Sequence, residues 1–394
     1  MAVKITKPEI DIREKVSELD KPSGIAGEAI LRANTPQEQN ELIGANLNNI
    51  IINGDFQVWQ RGTTFTTGNK FTADRWYLYG NGTTNETVTQ QTDVPKDSGN
   101  SYSLRITAGG AYAGGNYAML RYKVDPKDLI KLNNAVGSTL QFWVKADNPG
   151  LYTITFLQHR SSGSQRQISR TYTINSSDVW EFKTVTIPAD STVLYDANTS
   201  QLSIDWIYGK NTGYATGTFN DHSWANNVSA NRQPTGQTNA MSASGKKFSI
   251  SGVQFVPGKY PSGLPHLHRP YGEELALCQR YCYVIGHPSQ VIYLGTGSMY
   301  TTTAVNLSVP LPVQLRHNSP SFTHVANGTG NWLNLYVGAT GTLSNATPLQ
   351  GDYTQSNMRL YIPGAHSGSS PSAAGAGVWS MVLAGAQLII DAEL

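Results

Sequence analysis

Four aromatic residues crowd one stretch of this sequence, Trp206, Tyr208, Tyr214 and Trp224, interleaved with Asn211, Asp221, Asn226 and Asn227. Flat rings pack against the apolar faces of pyranoses, and nearby amides or carboxylates orient the hydroxyls. The chemistry on offer is therefore sugar recognition. Tyr208, Tyr214, Trp224 and Asn226 fall in loop sequence and are the candidate ligand-binding residues. Trp206 sits in a strand pattern and is assigned to the core, together with Trp59, Trp76 and Trp143.

Bond-breaking chemistry finds less support. A glycosidase needs two carboxylates facing each other across a cleft, about 5 to 9.5 Å apart according to mechanism. Asp205 and Asp221 are the conceivable pair, yet nothing in their spacing makes them face each other. No Gly-x-Ser-x-Gly elbow accompanies the eight histidines, and Gly295-Thr296-Gly297 is only a turn signal. Walker and zinc spacings are also missing from the sequence. Cys278 and Cys282 stand four apart, which on a helix places them on one face with poor geometry for a disulfide. His287 is the only further ligand type close by in sequence, so the two thiols read as small core residues and no metal is expected. The chain reads as a non-enzyme.

Composition sets the class of elements that must carry these residues. Charged residues make up 14% of the chain, below the usual share of about 25%. With 38 glycines and 20 tyrosines, the balance suits many short strands joined by turns. A net charge of +2 without clustered Lys and Arg excludes a nucleic-acid partner. Apolar runs such as Leu47–Ile52 fall far short of the roughly 20 residues of a membrane span, so no membrane insertion is expected. Met1–Ile12 has no apolar segment of the secretory kind, which predicts a protein made in the cytoplasm.

Organisation changes along the chain. Of the first 48 residues 14 are charged, about 29%, against about 12% of the remainder, and the shift marks a boundary. This arm carries helix punctuation: the capping box Thr6-Lys7-Pro8-Glu9 before Ile12, Val16 and Leu19, then Pro22, and Thr35-Pro36-Gln37-Glu38 before a stop at Gly44. Helices this short are marginal alone, so the arm needs a partner surface, with Ile12, Val16, Leu19, Ile25 and Leu42 as its anchoring residues. Residues 49–262 read as strands, including Leu140–Val144, Tyr152–Phe156, Phe182–Ile187, Leu202–Trp206 and Phe248–Val253, with one long loop from Gly209 to Gly245. Residues 263–283 form a connector, proline-rich around His266 and His268, that runs into a short helix. Residues 284–394 are again β-like, with strands over Val305–Val309, Trp332–Val337, Met358–Ile362 and Val378–Ile390. The expected fold is mainly β: a short helical N-terminal arm, a jelly-roll sandwich and a second C-terminal sandwich.

Three stretches carry a resemblance. The arm, from Lys7-Pro8-Glu9-Ile10 through Asp20-Lys21-Pro22-Ser23-Gly24-Ile25-Ala26-Gly27 to Thr35-Pro36-Gln37-Glu38, resembles the N-terminal segment of fibre-like proteins of podovirus-type phages. Asn53–Gly62 with Thr72-Ala73-Asp74-Arg75-Trp76 is similar to the opening of a jelly-roll domain in phage tail-fibre and minor structural proteins. Phe248–Gly258 with His268–Tyr281 resembles its close, and the terminal Asp391-Ala392-Glu393-Leu394 resembles the end of such proteins. The jelly roll also resembles carbohydrate-binding modules with a Phe-Trp-Val-Lys core strand, here Phe142-Trp143-Val144-Lys145. Those modules often hold a structural calcium, but Ser251 stands where an aspartate would be expected, which argues against one here.

The resemblance implies a virion protein, a tail fibre or adhesin, homotrimeric, with residues 1–48 docked on other virion proteins and the β domains facing a host cell-surface glycan. Two alternatives stay open. One is a capsid-attached head fibre or connector without a receptor role, and the other is a glycan-cleaving tailspike, which the thin supply of carboxylates and the lack of parallel β-helix repeats disfavour.

Overall fold

The computed structural model describes residues 49–394 apart from 67, 81–85, 113–117, 134, 160–164, 191, 193–194, 196–200, 318, 338–339, 347, 354–356, 366–376 and 394. The arm and its anchoring residues Ile12, Val16, Leu19, Ile25 and Leu42 lie outside the described residues. What is described is mainly β, built from antiparallel sheets in two sandwiches.

The first sandwich pairs a six-stranded sheet with a seven-stranded one. The six-stranded sheet runs in the order Thr64–Thr66, Thr87–Gln91, Ser103–Thr107, Lys247–Pro257, Gly137–Ala146, Glu181–Pro188. The other runs Ala225–Asn226, Arg166–Ile174, Gly150–His159, Gln201–Ile207, Ala118–Val124, Trp76–Gly80, Lys70–Phe71. Successive side chains of a strand point to opposite faces. Along Gly137–Ala146 this sends Leu140, Phe142 and Val144 inward to full burial, and the same parity buries Ile204 and Trp206 from the opposite sheet. Aromatic rings fill the centre: Trp206 lies 5.4 Å from Trp76 and 5.9 Å, edge to face, from Phe142. Each such ring contributes on the order of 1.5–3 kcal/mol through burial alone.

The second sandwich joins a three-stranded sheet, Cys282–Gly286, Gln387–Asp391, Ser321–Val325, to a seven-stranded sheet around Ile292–Met299, Val305–Pro310 and Gly377–Val382. The stretch Val378–Ile390, read from sequence as one strand, is two. A turn with Gly385 at φ +76° divides it, and its halves belong to different sheets. The turn lets Val382 and Leu388 reach one core from two sides. Helix Tyr271–Gln279 begins at Pro270, and only Cys278 belongs to it; Cys282 opens the next strand, so the two thiols do not share a helix face. Both are buried and unbonded, as expected of small core residues.

The two sandwiches meet in a buried ionic junction. Ile52 and Val58 pack with Cys278 and Tyr281. Above them the carboxylate of Glu393 ion-pairs with Arg75, accepts from its backbone N–H at 3.2 Å, and lies 3.5 Å from Arg61. Arg61 also holds Asp391 at 3.0 Å. The Arg75 guanidinium lies 3.6 Å from the ring centre of Tyr281, whose hydroxyl donates to Asp125 at 2.8 Å. Arg75 and Glu393 are almost completely shielded from water, and removing one partner would leave an uncompensated buried charge. Glu393→Ala is therefore expected to cost about 3–5 kcal/mol of unfolding free energy in urea titration. Lys131→Ala, which breaks an exposed pair with Asp128, should change stability by less than about 1 kcal/mol.

Candidate functional site

The outward face of the six-stranded sheet holds a groove. It encloses about 320 Å³ and is lined by Trp143, Phe182, Gln141, Gln254, Gly252 and Leu264, with Asp97, Ser98 and His266 at its edges. The alternation that buries Phe142 turns Gln141, Trp143 and Lys145 to the other side, so Trp143 is not core, contrary to its assignment from sequence. Trp143 and Phe182 are register partners on adjacent strands, their ring centres 5.2 Å apart. Together they form a tilted aromatic floor on which Trp143 is half-buried and Phe182 is 37% exposed.

One wall is the proline-rich connector, and two glutamines hold it there. Gln141 donates to the carbonyl of Leu264 at 2.8 Å and accepts from its N–H at 2.7 Å. Gln254 accepts from the N–H of Leu267 at 2.7 Å. Thr139 adds a hydroxyl bond to Gly258 and accepts from the N–H of Tyr260. Side chains thus supply the hydrogen bonds that a neighbouring strand would otherwise give. Two glycines keep the floor open. Gly252, at φ +60° in the bulge of strand Lys247–Pro257, leaves room for Asn100 and Trp143, where a Cβ would come within 2.6 Å and 3.2 Å. Gly263, at φ +78°, lets the connector approach Phe182, where a Cβ would come within 2.7 Å.

Charge continues along the same face. Asp93 receives Arg105 at 2.5 Å, Lys145 at 2.6 Å and the indole N–H of Trp180 at 3.1 Å. Partial burial opposes ionisation of Asp93, but the Lys145 and Arg105 partners hold its carboxyl below the ordinary range. Burial lowers His266, with His268 adding to the effect, so its ring is neutral at pH 7.

The residues singled out from sequence do not converge. Tyr208 is completely buried, with its ring 5.5 Å from Phe248 and its hydroxyl donating to Glu86 at 3.2 Å. It shares the inward parity of Ile204 and Trp206, so it is core rather than ligand surface. Trp224 is only 8% exposed, and its indole N–H donates to the carbonyl of Pro188 at 2.9 Å, which pins the long loop to the sandwich edge. Asn226 is exposed on strand Ala225–Asn226, paired with Arg166. Tyr214 is half-buried over the outer face of the seven-stranded sheet, 5.2 Å from Arg232. Asp205 is gripped there by Arg121 through two bonds of 2.7 and 2.8 Å, while Asp221 lies in an exposed pair with His222. Each carboxylate is thus engaged by its own cationic or imidazole partner. Ser251 donates to the carbonyl of Tyr102 at 2.7 Å. Trp332 is buried in the second sandwich and donates to Ala346.

No protein-family model matches the sequence, and no curated protein matches it either. Among solved structures, the chain is similar to the enzymatically active domain of tailspike protein 4 of bacteriophage CBA120. That likeness has 17% identity and a TM-score of 0.31, covering 52% of this chain and 21% of that one, about a fifth of its length. It is also similar to a family 11 carbohydrate-binding module from Clostridium thermocellum solved with a β-1,3-1,4-mixed-linked tetrasaccharide, at 12% identity and TM-score 0.26, covering 50% of this chain and 96% of that one. The module TmCBM61, solved with β-1,4-galactotriose, is 10% identical at TM-score 0.28, covering 53% and 99%. At these scores the likenesses transfer no ligand, activity or assembly to this chain.

The burial of Glu86 makes stability depend on pH, and its hydrogen bond from Tyr208 works against the shift. Burial pushes the Glu86 carboxyl up to about 7 from an ordinary value of 4.5. The folded chain holds this proton more tightly than the unfolded one, so the contribution is complete below about pH 4.5 and is lost as pH rises towards 7. Glu86→Gln, which keeps a neutral hydrogen-bonding group, is expected to remove about 1–3 kcal/mol of pH-dependent stability across that window, measured as a flattened melting profile.

Proposed function

We propose that this chain binds glycan through the Trp143–Phe182 groove, as a virion protein that carries its β domains outward for host attachment. The observation that carries the reading is the aromatic floor itself: two partly exposed rings on adjacent strands, beside Asp97, Ser98 and His266. A partly exposed aromatic pair on a sheet face leaves apolar surface that a ligand can cover. A pyranose offers flat C–H faces for the rings and equatorial hydroxyls for the rim. The groove volume suits one or two sugar units. Binding needs no charged ligand, in keeping with the net charge of +2.

The virion setting rests on the resemblance of residues 1–48, 53–76, 248–281 and 391–394 to phage fibre and minor structural proteins. In that setting the arm docks on other virion proteins and the chain assembles as a homotrimer, three weak sites acting together through effective concentration. Residues 1–48, 49–262, 263–283 and 284–394 are the corresponding anchor, glycan-binding domain, connector and C-terminal domain. Asp205 is committed to Arg121, which fits binding better than hydrolysis.

By analogy with stacking on other flat ligands, each ring supplies about 1–3 kcal/mol. Trp143→Ala is expected to weaken binding to bacterial surface oligosaccharides about 5- to 150-fold in titration calorimetry, with the melting temperature nearly unchanged. Trp224→Ala should do the reverse, lowering stability while binding by the folded fraction persists. Deleting residues 1–48 is expected to leave folded β domains that no longer join particles, read by copy number in purified virions. Normal incorporation of the deletion would overturn the anchoring role.

A further inference from the structure

Behind the groove, the connector brings two histidines onto a carboxylate from the far end of the first sandwich. Asp55 follows the turn at Gly54, and the connector returns after strand Lys247–Pro257 to lay His266 and His268 beside it. One ligand atom from each of Asp55, His266 and His268 lies within 4.8 Å of the other two. The connector is extended here, with its backbone pinned at Leu264 and Leu267 by the two glutamines, so the His-x-His spacing is held rather than loose. His268 Nδ1 stands 3.9 Å from Asp55 Oδ2, beyond hydrogen-bond distance. The Nε2 of His266 is buried without a hydrogen-bond partner among the described residues. Asp55 is itself buried, and its side-chain carboxylate receives Gln57.

The cluster thus presents a carboxylate and two imidazoles whose lone pairs are only partly met, by Gln57 alone among the hydrogen bonds that the described residues make to these side chains. Arg269, which lines the same recess, is already committed to Glu274 at 3.2 Å and to the carbonyls of Ile51 and Asn49. A cation placed among the three side chains would satisfy the carboxylate and the lone pairs of both rings at once. The geometry points to a divalent transition-metal site formed by Asp55, His266 and His268, of the class that takes Zn²⁺.

The donor set decides the kind of metal. Two imidazoles and one carboxylate suit zinc, cobalt or nickel, whereas calcium takes six to eight oxygens. Ligand atoms about 2.0–2.2 Å from a zinc ion stand roughly 3.3–3.6 Å apart. The present spread therefore closes by about an ångström, which the exposed side chain of His268 can supply by rotation. Gln57 takes the supporting role, orienting the carboxylate from outside the ligand set. Three protein ligands leave at least one coordination position for water or for an oxygen of something bound in the adjoining groove, since His266 lines both.

The test uses the full chain, dialysed against EDTA and titrated with Zn²⁺ in calorimetry, with Ca²⁺ in a parallel arm and no sugar present. One Zn²⁺ per chain is expected, with a saturable rise in melting temperature. Co²⁺ in its place should give visible ligand-field bands without sulfur charge-transfer absorption. His268 is exposed, so His268→Ala should fold as the parent does while losing zinc affinity about 10- to 100-fold or more. His266→Gln should show the same loss, and Trp143→Ala should retain full zinc binding, which separates this site from the glycan reading. Unchanged zinc binding in His268→Ala and His266→Gln would place the ion at other histidines and overturn the assignment. Calcium binding as tightly as zinc, or no binding of Zn²⁺, would overturn it equally.

Discussion

The structure depends on one buried pair, Arg75 with Glu393, which ties the central residue of the first sandwich's Asp74-Arg75-Trp76 turn to the C-terminal segment that follows the last strand of the second. Arg75 has φ +73°, a left-handed conformation that a bulky residue adopts only when its surroundings hold it. What holds it is on both sides: its backbone N–H donates to Glu393, its guanidinium reaches the carbonyl of Lys123 at 2.6 Å, and its plane lies on Tyr281. The pair therefore fixes a turn in one sandwich, the last strand of the other, and the helix–strand corner between them. Well-packed apolar residues would be at least as stabilising at such a place. The ionic version adds direction, since the side chain and backbone of Arg75 must both meet Glu393.

That junction positions the functional face at one remove. Helix Tyr271–Gln279 is anchored by Cys278 and Tyr281 below, and at its start Glu274 receives the backbone N–H of Asn53 and pairs with Arg269. The connector is thus fixed at its downstream end by the junction and along its length by Gln141 and Gln254. The aromatic floor and the histidine pair both rest on this strap. A groove with one wall held by side-chain amides, and a floor cleared by Gly252 and Gly263, is already formed without a ligand, and a preformed site carries a smaller ordering cost on binding.

How much of this was legible in the sequence follows from the range of the interactions. Strand alternation is local, and it located Leu140–Val144, Tyr152–Phe156 and Leu202–Trp206 in register with the observed strands. The same alternation held the signal that Trp143 faces away from Phe142, and that Tyr208 shares the parity of Trp206; treating every strand tryptophan as core and every loop-side tyrosine as exposed concealed both. Trp224 is different. Its burial comes from a bond to Pro188, a tertiary contact that no local pattern announces. The meeting of Asp55 with His266 and His268, and of Arg75 with Glu393, spans most of the chain and became visible only when the fold closed. The break within Val378–Ile390 was signalled by Gly385, yet a run of apolar residues on both sides read as one strand.

Selective ¹⁵N-tryptophan labelling of the full chain offers the most direct test of the central claim, because each of the eight indoles reports its own surroundings. Titration with a bacterial surface oligosaccharide that the protein binds should shift the Trp143 indole resonance first and farthest, with Trp180 following and with Trp76, Trp206 and Trp332 unmoved. If the shifts fall instead on Trp224 or Trp332 while Trp143 stays in place, glycan meets another face of the molecule and the groove is not the site.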